Sequence, residues 1–470
     1  MEVRYRGDGI VYYKGISYSC SLYVNEELGG VLINVYTNDP TSSFIEVPIE
    51  MDYLFGELST GFQFTLYKVA RSNTHHDFSR SRTTFVYEAS RIMYGIGGND
   101  KQIKTFHQAH YRISDIIWWG QKSVYEIKED HSLVVSGTKE SLLYENDCCR
   151  IVYKVNGSLL PYVTQDLYNE SIHLKQYVTI EISSKAPQTI DFFDRTFIKV
   201  KRLIEIAVLD KLNIEKLQLF SQEYYHIHNS TRSELPIDIY GNDIICSEKV
   251  NDRKKDKFKS VLLSQLIDNK SFDLFFRQYN ILEPIVELYL DTFYYHFSDR
   301  RIFLNLVQAL EMYHSRYVTN SLEEYKRRVS NLVSIVDHAT REQIKKWMLG
   351  NSTKFITLES RLADLVYAEH KIFFDTGRIS RDLFPESIAQ TRNYYIHFDE
   401  SLKEKGKVLD ESEIGFYNIA LITILEYYIL GKIGFDSDSI EFHRFLKERW
   451  GKTSEMLQIR SLSEDRHKDE

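Results

Sequence analysis

"TIDFFDRTFIKVKRLIEIAVLDKLN", residues 189–213, is where the periodicity of this chain changes. Upstream of it, Phe62, Phe64 and Leu66 alternate with Gln63, Thr65 and Tyr67, and Val178, Ile180 and Ile182 alternate with Tyr177, Thr179 and Glu181. A period of two lines one face of a pleated sheet. Within 189–213, Phe197, Val200, Leu203, Ile204 and Val208 fall instead on one helical stripe. The switch follows Ala186-Pro187 and makes the chain an α+β multidomain protein. Turn signals such as Asn38-Asp39-Pro40 and Asn156-Gly157-Ser158 separate the β runs, as an antiparallel sheet or sandwich requires.

Working outward, residues 1–190 read as the β-rich domain and 191–255 as a helical or mixed connecting region, strand-like near Ile245. The charged run NDRKKDKFK, 251–259, reads as a linker or solvated helix start. Residues 256–455 read as an all-α bundle, and 456–470 as a polar tail whose end, SLSEDRHKDE, is expected to be disordered. In the bundle, Phe303, Leu306, Leu310, Tyr313 and Tyr317 recur at intervals of three and four. Ser321 and Glu324 stand in capping-box positions, and Leu358, Leu362, Leu365 and Val366 mark another helix. Pro385 suits a first helical turn. The segments 416–431 and 439–449 complete the set.

Composition narrows the function classes. A length of 470 residues exceeds one ordinary core, so two or three domains are expected. With 43% apolar and 27% charged residues the chain reads as soluble and globular. A net charge of −8 excludes bulk coating of nucleic acid and leaves room for a local site. The 33 Tyr and 27 Phe serve cores and stacking surfaces alike. Cys20, Cys148, Cys149 and Cys246 form no framework, and the N-terminus lacks a signal-peptide core. The apolar run 416–435 carries Asn418 and Glu426, which favours a buried bundle helix over a membrane span. A reduced, cytoplasmic protein without a membrane anchor is the expectation.

Phosphate-binding glycine loops are absent, and His226-Ile227-His228 lacks further ligands at metal-binding spacing. No metal or cofactor is called for. The chemistry rests on "TRNYYIH", residues 391–397, with Arg392 five positions ahead of His397. Chance alone yields about 0.9 Arg–His pairs at this spacing, and Arg71 and His76 form another. Context separates them, because Arg71 lies in a polar β segment whereas Arg392 falls on a bundle helix that can hold it rigidly. A guanidinium clamps phosphate through bidentate hydrogen bonds, and an imidazole exchanges protons near neutral pH. RNA supplies its own nucleophile in the 2′-OH. Attack on the adjacent phosphate leaves a 2′,3′-cyclic phosphate and a 5′-OH. Asn393 is placed to position phosphate or imidazole, and Tyr394 or Tyr395 to stack a base. Two facing copies would double the sparse set, so a homodimer is expected.

The motif RNYYIH resembles the Arg-Asn-x-x-x-His signature of HEPN domains, helical bundles that commonly act as metal-independent ribonucleases in bacterial defence and toxin systems. RIFLNLVQALEMYH, 301–314, resembles the "ALE-x-x-H" helix of the ApeA-like HEPN group, and SRLADLV, 360–366, follows in the expected order. The match spans roughly 295–435, and the β-rich region ahead of it is similar in layout to the ApeA N-terminal domain. The resemblance implies an abortive-infection endoribonuclease that cuts host or phage RNA, with tRNA among the candidates. It also implies a sensing or regulatory N-terminal domain and a phage-derived trigger. Arg392 and His397 become the implied catalytic pair, and Glu311, at the edge of an apolar face, the residue that braces one of them. The competing expectation is a non-catalytic HEPN interaction or nucleotide-binding module with a β-rich ligand-binding domain.

Overall fold

The computed structural model describes residues 5–25, 30–37, 48–79, 81–97, 102–157, 174–228, 231–241, 243–244, 260–294, 297–318, 320–350, 356–366, 382–398, 400–404, 406 and 408–450. The linker 251–259, Cys246 and the tail 456–470 lie outside them. The chain divides into two compact units, residues 1–200 with 212–253, and residues 201–211 with 254–470.

The first unit is built on one antiparallel sheet. Its first six strands are β1 (Tyr5–Tyr13), β2 (Ile16–Asn25), β3 (Gly30–Thr37), β4 (Glu50–Leu58), β5 (Gln63–Asp77) and β6 (Arg82–Tyr94). They are hydrogen-bonded in the order β6-β3-β2-β1-β4-β5, and β5 pairs again with β6 to close a barrel. Alternation fills the interior: in β3, Val31, Ile33 and Val35 point in while Leu32, Asn34 and Tyr36 stay partly exposed. Leu22, Val24, Phe64, Leu66, Phe85 and Ile92 join them in one core. Closure removes the free edges an open sheet would expose.

One edge of β6 is divided. Residues 83–89 pair with β3, and residues 91–93 pair with a later strand, β16 (Ile237–Gly241). From that branch the sheet continues through β13 (Ile214–Phe220), β7 (Phe106–Ile113), β12 (Gln176–Gln188), β11 (Cys149–Gly157) and β10 (Lys139–Glu145). Two small hairpins, β8 (Tyr125–Ile127) with β9 (Leu133–Val135) and β14 (Tyr225–His228) with β15 (Thr231–Glu234), stand apart from it. Residues 214–241, assigned by sequence to a connecting region, thus supply two strands to the sheet. The sequence shows Leu217, Leu219, Ile237 and Ile239 in short alternation, but their partners on β7 and β6 lie more than a hundred residues away. Strand β5 departs from the expected half-buried pattern in that Thr65 and Tyr67 are buried along with Phe64 and Leu66. The Thr65 hydroxyl donates to the Ile96 carbonyl at 2.9 Å, so the second face is covered too.

The helix read at 189–213 is α1 (Ile190–Val208), and its Phe197, Val200, Leu203 and Ile204 are buried as expected. At the sheet branch, Arg91 donates to both Asp194 oxygens on α1 at 2.8 and 2.7 Å and to Asp243. Tyr111 adds a hydrogen bond to Asp194 at 2.9 Å. A side chain at Gly241 would meet Arg91 Cγ at 2.7 Å, so glycine permits the guanidinium to reach both acids. Arg91→Ala is expected to cost about 2–3 kcal/mol, the worth of hydrogen bonds to charged groups, read by urea unfolding of the full chain.

The second unit is helical: α2 (Ser271–Tyr294), α3 (Asp299–Tyr317), α4 (Asn320–Ser334), α5 (His338–Gly350), α6 (Leu358–Leu365), α7 (Phe384–His397), α8 (Glu400–Glu404), α9 (Glu411–Lys432) and a last helix, α10, over 440–450. Helix α4 begins at Asn320, so Ser321 lies inside it and not at the cap, and Glu324 is engaged by Arg328 one turn on. Thr357 caps α6 by accepting from the Ser360 N–H at 3.2 Å, and Asp410 with Glu413 forms a capping box on α9.

Helix α9 is the apolar run read from sequence. It is long and apolar enough to cross a membrane, but 78% of its apolar window is buried inside the protein. Asn418 donates to the Asp299 carbonyl at 3.0 Å, and the fully buried Glu426 faces Arg449 Nε at 3.0 Å and accepts from Trp450 Nε1 at 2.5 Å. These polar groups tie α9 to α3 and α10, which is why a hydrophobic helix carries them.

Candidate active site

Helix α7 positions the motif. Pro385 falls in its first turn, as the sequence predicts. Phe384, Ile388 and Thr391 are buried at intervals of four and three. Phe384 stacks on Tyr417 of α9 with ring centroids 5.6 Å apart, and the Thr391 hydroxyl accepts from the Leu409 N–H at 3.0 Å. These contacts fix the rotation of α7 about its axis, and the next residues, Arg392 and Asn393, come to the edge of the packed face, half-buried.

Facing them is α3, whose Phe303, Leu306, Val307 and Leu310 are buried. Glu311 follows at the margin of that face, with its side chain 36% exposed. Its Oε2 lies 3.8 Å from Arg392 Nη2, within ion-pair range and beyond hydrogen-bonding range. Arg392 Nη1 donates to Asn393 Oδ1 at 3.3 Å. The guanidinium is thus held from two sides with 30% of its side chain open to solvent.

His397 is the last residue of α7 and is exposed, and its side chain makes no hydrogen bond or ion pair to another described residue. Five residues along a helix place it about 7.5 Å up the axis and ~140° around from Arg392. Asn393 lies four residues before His397 and one after Arg392, so it occupies the surface between them. Tyr394 and Tyr395 are half-buried with ring centroids 5.3 Å apart, and Tyr395 also meets Phe303 at 6.5 Å.

His314, three residues beyond Glu311 and the closing histidine of ALE-x-x-H, received no role from the sequence. It is 2% exposed, and its Nε2 lies 2.8 Å from Asp364 Oδ2 on α6. Tyr428 of α9 donates to the Leu365 carbonyl at 2.7 Å, fixing α6 from another side. The available signals were its place in ALE-x-x-H and its helical spacing from Leu310 on an apolar face. Its partner on α6 is invisible to local pattern.

The other Arg–His pair has structural duties. Arg71 lies over the Phe85 ring at 5.0 Å and His76 Nδ1 is 3.0 Å from Thr83 Oγ1, both within the β5–β6 hairpin. His226 and His228 are exposed on β14, and among the described residues no three His, Cys, Asp or Glu gather as metal ligands.

A β-rich unit followed by a helical bundle that carries Arg-Asn-x-x-x-His on one helix defines the class of HEPN proteins with a large N-terminal domain. Residues 8–273 match ApeA N-terminal domain 1, and residues 304–439 match the Apea-like HEPN domain. The chain belongs to the ApeA-like HEPN family, a family of anti-phage proteins. HEPN domains are typically ribonucleases. No curated protein and no solved structure matches the chain.

Proposed function

We propose that this protein is a metal-independent endoribonuclease of anti-phage defence. Arg392 clamps the scissile phosphate and His397 moves the proton. One observation carries the reading: α7 holds a braced but partly open guanidinium, while the imidazole at its end is exposed and without a described partner. Arg91, by contrast, is engaged by two carboxylates, Asp194 and Asp243.

In the proposed reaction the 2′-oxygen attacks the adjacent phosphorus and the bond to the 5′-oxygen breaks. The 2′-OH proton passes to one His397 imidazole, and the departing 5′-oxygen receives a proton from a second, supplied by another copy of the chain in a homodimer. Arg392 stabilises the charge that builds on the phosphoryl oxygens. Asn393 orients Arg392 or the phosphate, and Tyr394 and Tyr395 offer rings to neighbouring bases. The β-rich unit senses or regulates, with a phage product as trigger and host or phage RNA, tRNA included, as substrate.

Glu311 acts as a positioning residue. An ion pair this exposed is worth under about 1 kcal/mol, so Glu311→Gln is expected to lower kcat by about fivefold at most with KM nearly unchanged. A rise in KM with kcat unchanged would instead assign Glu311 to binding. The reaction itself is tested by incubating purified protein with total RNA in EDTA, alone and with phage-infected lysate, and mapping the ends. Cyclic phosphate and 5′-OH termini are expected. RNA left intact in both conditions overturns the reading.

A further inference from the structure

We infer that a basic–aromatic strip beside Arg392 and His397 binds single-stranded RNA, which restricts the proposed nuclease to unpaired segments; the inference rests on the ribonuclease reading. The strip consists of Arg300, Tyr395, Tyr394, Phe398 and Lys403. Arg300, at the start of α3, places its guanidinium 5.1 Å from the Tyr395 ring centre. Tyr395 adjoins Tyr394 at 5.3 Å, and Tyr394 adjoins Phe398 at 6.3 Å. Lys403 of α8 lies 5.9 Å from the Tyr394 ring. Three rings in sequence, with one cation beside the first ring and another beside the middle one, match what a single strand requires: π-faces for bases and charge for the phosphates between them.

The strip runs along the catalytic pair because helix geometry demands it. Arg392 and Tyr395 are three apart, as are Tyr394 and His397, and residues three apart are neighbours on a helix surface. Phe398 supplies an independent argument. It closes α7 in the left-handed backbone region, φ 51°, which a bulky residue seldom adopts and which glycine or asparagine would take with less strain. The residue is nevertheless 69% exposed. Neither the helix cap nor the core accounts for a phenylalanine there, whereas a base stacked on it does.

Charge decides between single strand and duplex. Arg300 already pairs with the exposed Glu411, Lys403 shares its short helix with Glu400 and Glu404, and the chain carries −8 overall. Two local cations cannot replace the many phosphate contacts on which duplex binding depends. Stacking must supply the affinity, and bases already paired and stacked in a duplex have no free faces to offer.

The test uses the full-length His397→Ala protein and a fluorescein-labelled 12-nucleotide oligouridylate, read by anisotropy. Phe398→Asn preserves the helix cap and removes the ring. It is expected to weaken binding roughly fivefold to a hundredfold, the effect of losing one base–aromatic stack. Arg300→Gln and Lys403→Ala should each flatten the slope of log affinity against log salt by about 0.7. A blunt RNA duplex of the same length should bind at least about tenfold more weakly than the single strand. Unchanged affinity in Phe398→Asn, or equal binding of duplex, overturns the strip. So does a sedimentation change in Phe398→Asn with RNA affinity intact, which makes the surface a contact between copies. In the His397-containing protein, Phe398→Asn should raise KM and leave kcat nearly unaltered. If the oligonucleotide binds through the strip but the wild type leaves both it and total RNA intact, alone and with phage-infected lysate, the nuclease reading fails and the strip stands. If the wild type cuts and all three variants cut with its KM, the strip alone fails.

Discussion

His397→Ala should lower RNA cleavage by about 10²- to 10⁴-fold, the usual contribution of a positioned acid–base group. The fold should be unaffected, because His397 is exposed at a helix end and its side chain contacts no other described residue through a hydrogen bond or ion pair. Matching far-UV circular dichroism and thermal midpoint would show this. The same substitution should abolish growth arrest on expression, if arrest follows from cutting RNA. Arg392→Lys should not restore activity, since an ammonium lacks the two parallel donors that grip a phosphate. A His397→Ala protein that cleaves at the wild-type rate would move the chemistry away from α7.

The largest stability effect is expected at the other end of the bundle. Glu426 and Arg449 are both fully buried and face each other at 3.0 Å, with Arg449 Nη2 donating to the Ile206 carbonyl at 3.1 Å. Removing one partner leaves the other charged in a space that water does not reach. Arg449→Ala should therefore cost about 3–5 kcal/mol, whereas a Glu426→Met, Arg449→Met double replacement should cost much less. Burial pushes the Glu426 carboxyl above its ordinary range, and Arg449 pulls it partly back. A carboxyl whose folded value exceeds its unfolded one holds its proton more tightly in the folded protein, so stability declines as pH rises between the two. Without Arg449 the folded value rises further and the window widens. The loss in Arg449→Ala should accordingly be larger at pH 8 than at pH 5, measured by chemical unfolding. Equal losses at both values would mean that Glu426 finds another partner or reaches water.

Much of the architecture was legible from local periodicity. Val178, Ile180 and Ile182 alternate in the sequence and are buried in β12, and Phe303, Leu306 and Leu310 recur at helical spacing and are buried in α3. Arg392, Asn393 and Glu311 were each readable as single residues, through motif and helix-face position. Their meeting was not, because Glu311 and Arg392 are 81 positions apart and the 3.8 Å between them depends on how α3 and α7 pack. The pairing of His314 with Asp364, and of Arg300 with Tyr395, escaped for the same reason.

By itself, then, the sequence determined where strands give way to helices and which helix bears the arginine and histidine, since hydrophobic period and motif spacing are written along the chain. Tertiary structure alone decided that β5 returns to β6 to close a barrel, that residues 214–241 join that sheet, and that Glu426 rests on Arg449. Strand partners and buried ion pairs are chosen by contacts between distant segments. No local pattern records them, because each side chain's energy depends on a neighbour that only folding brings near.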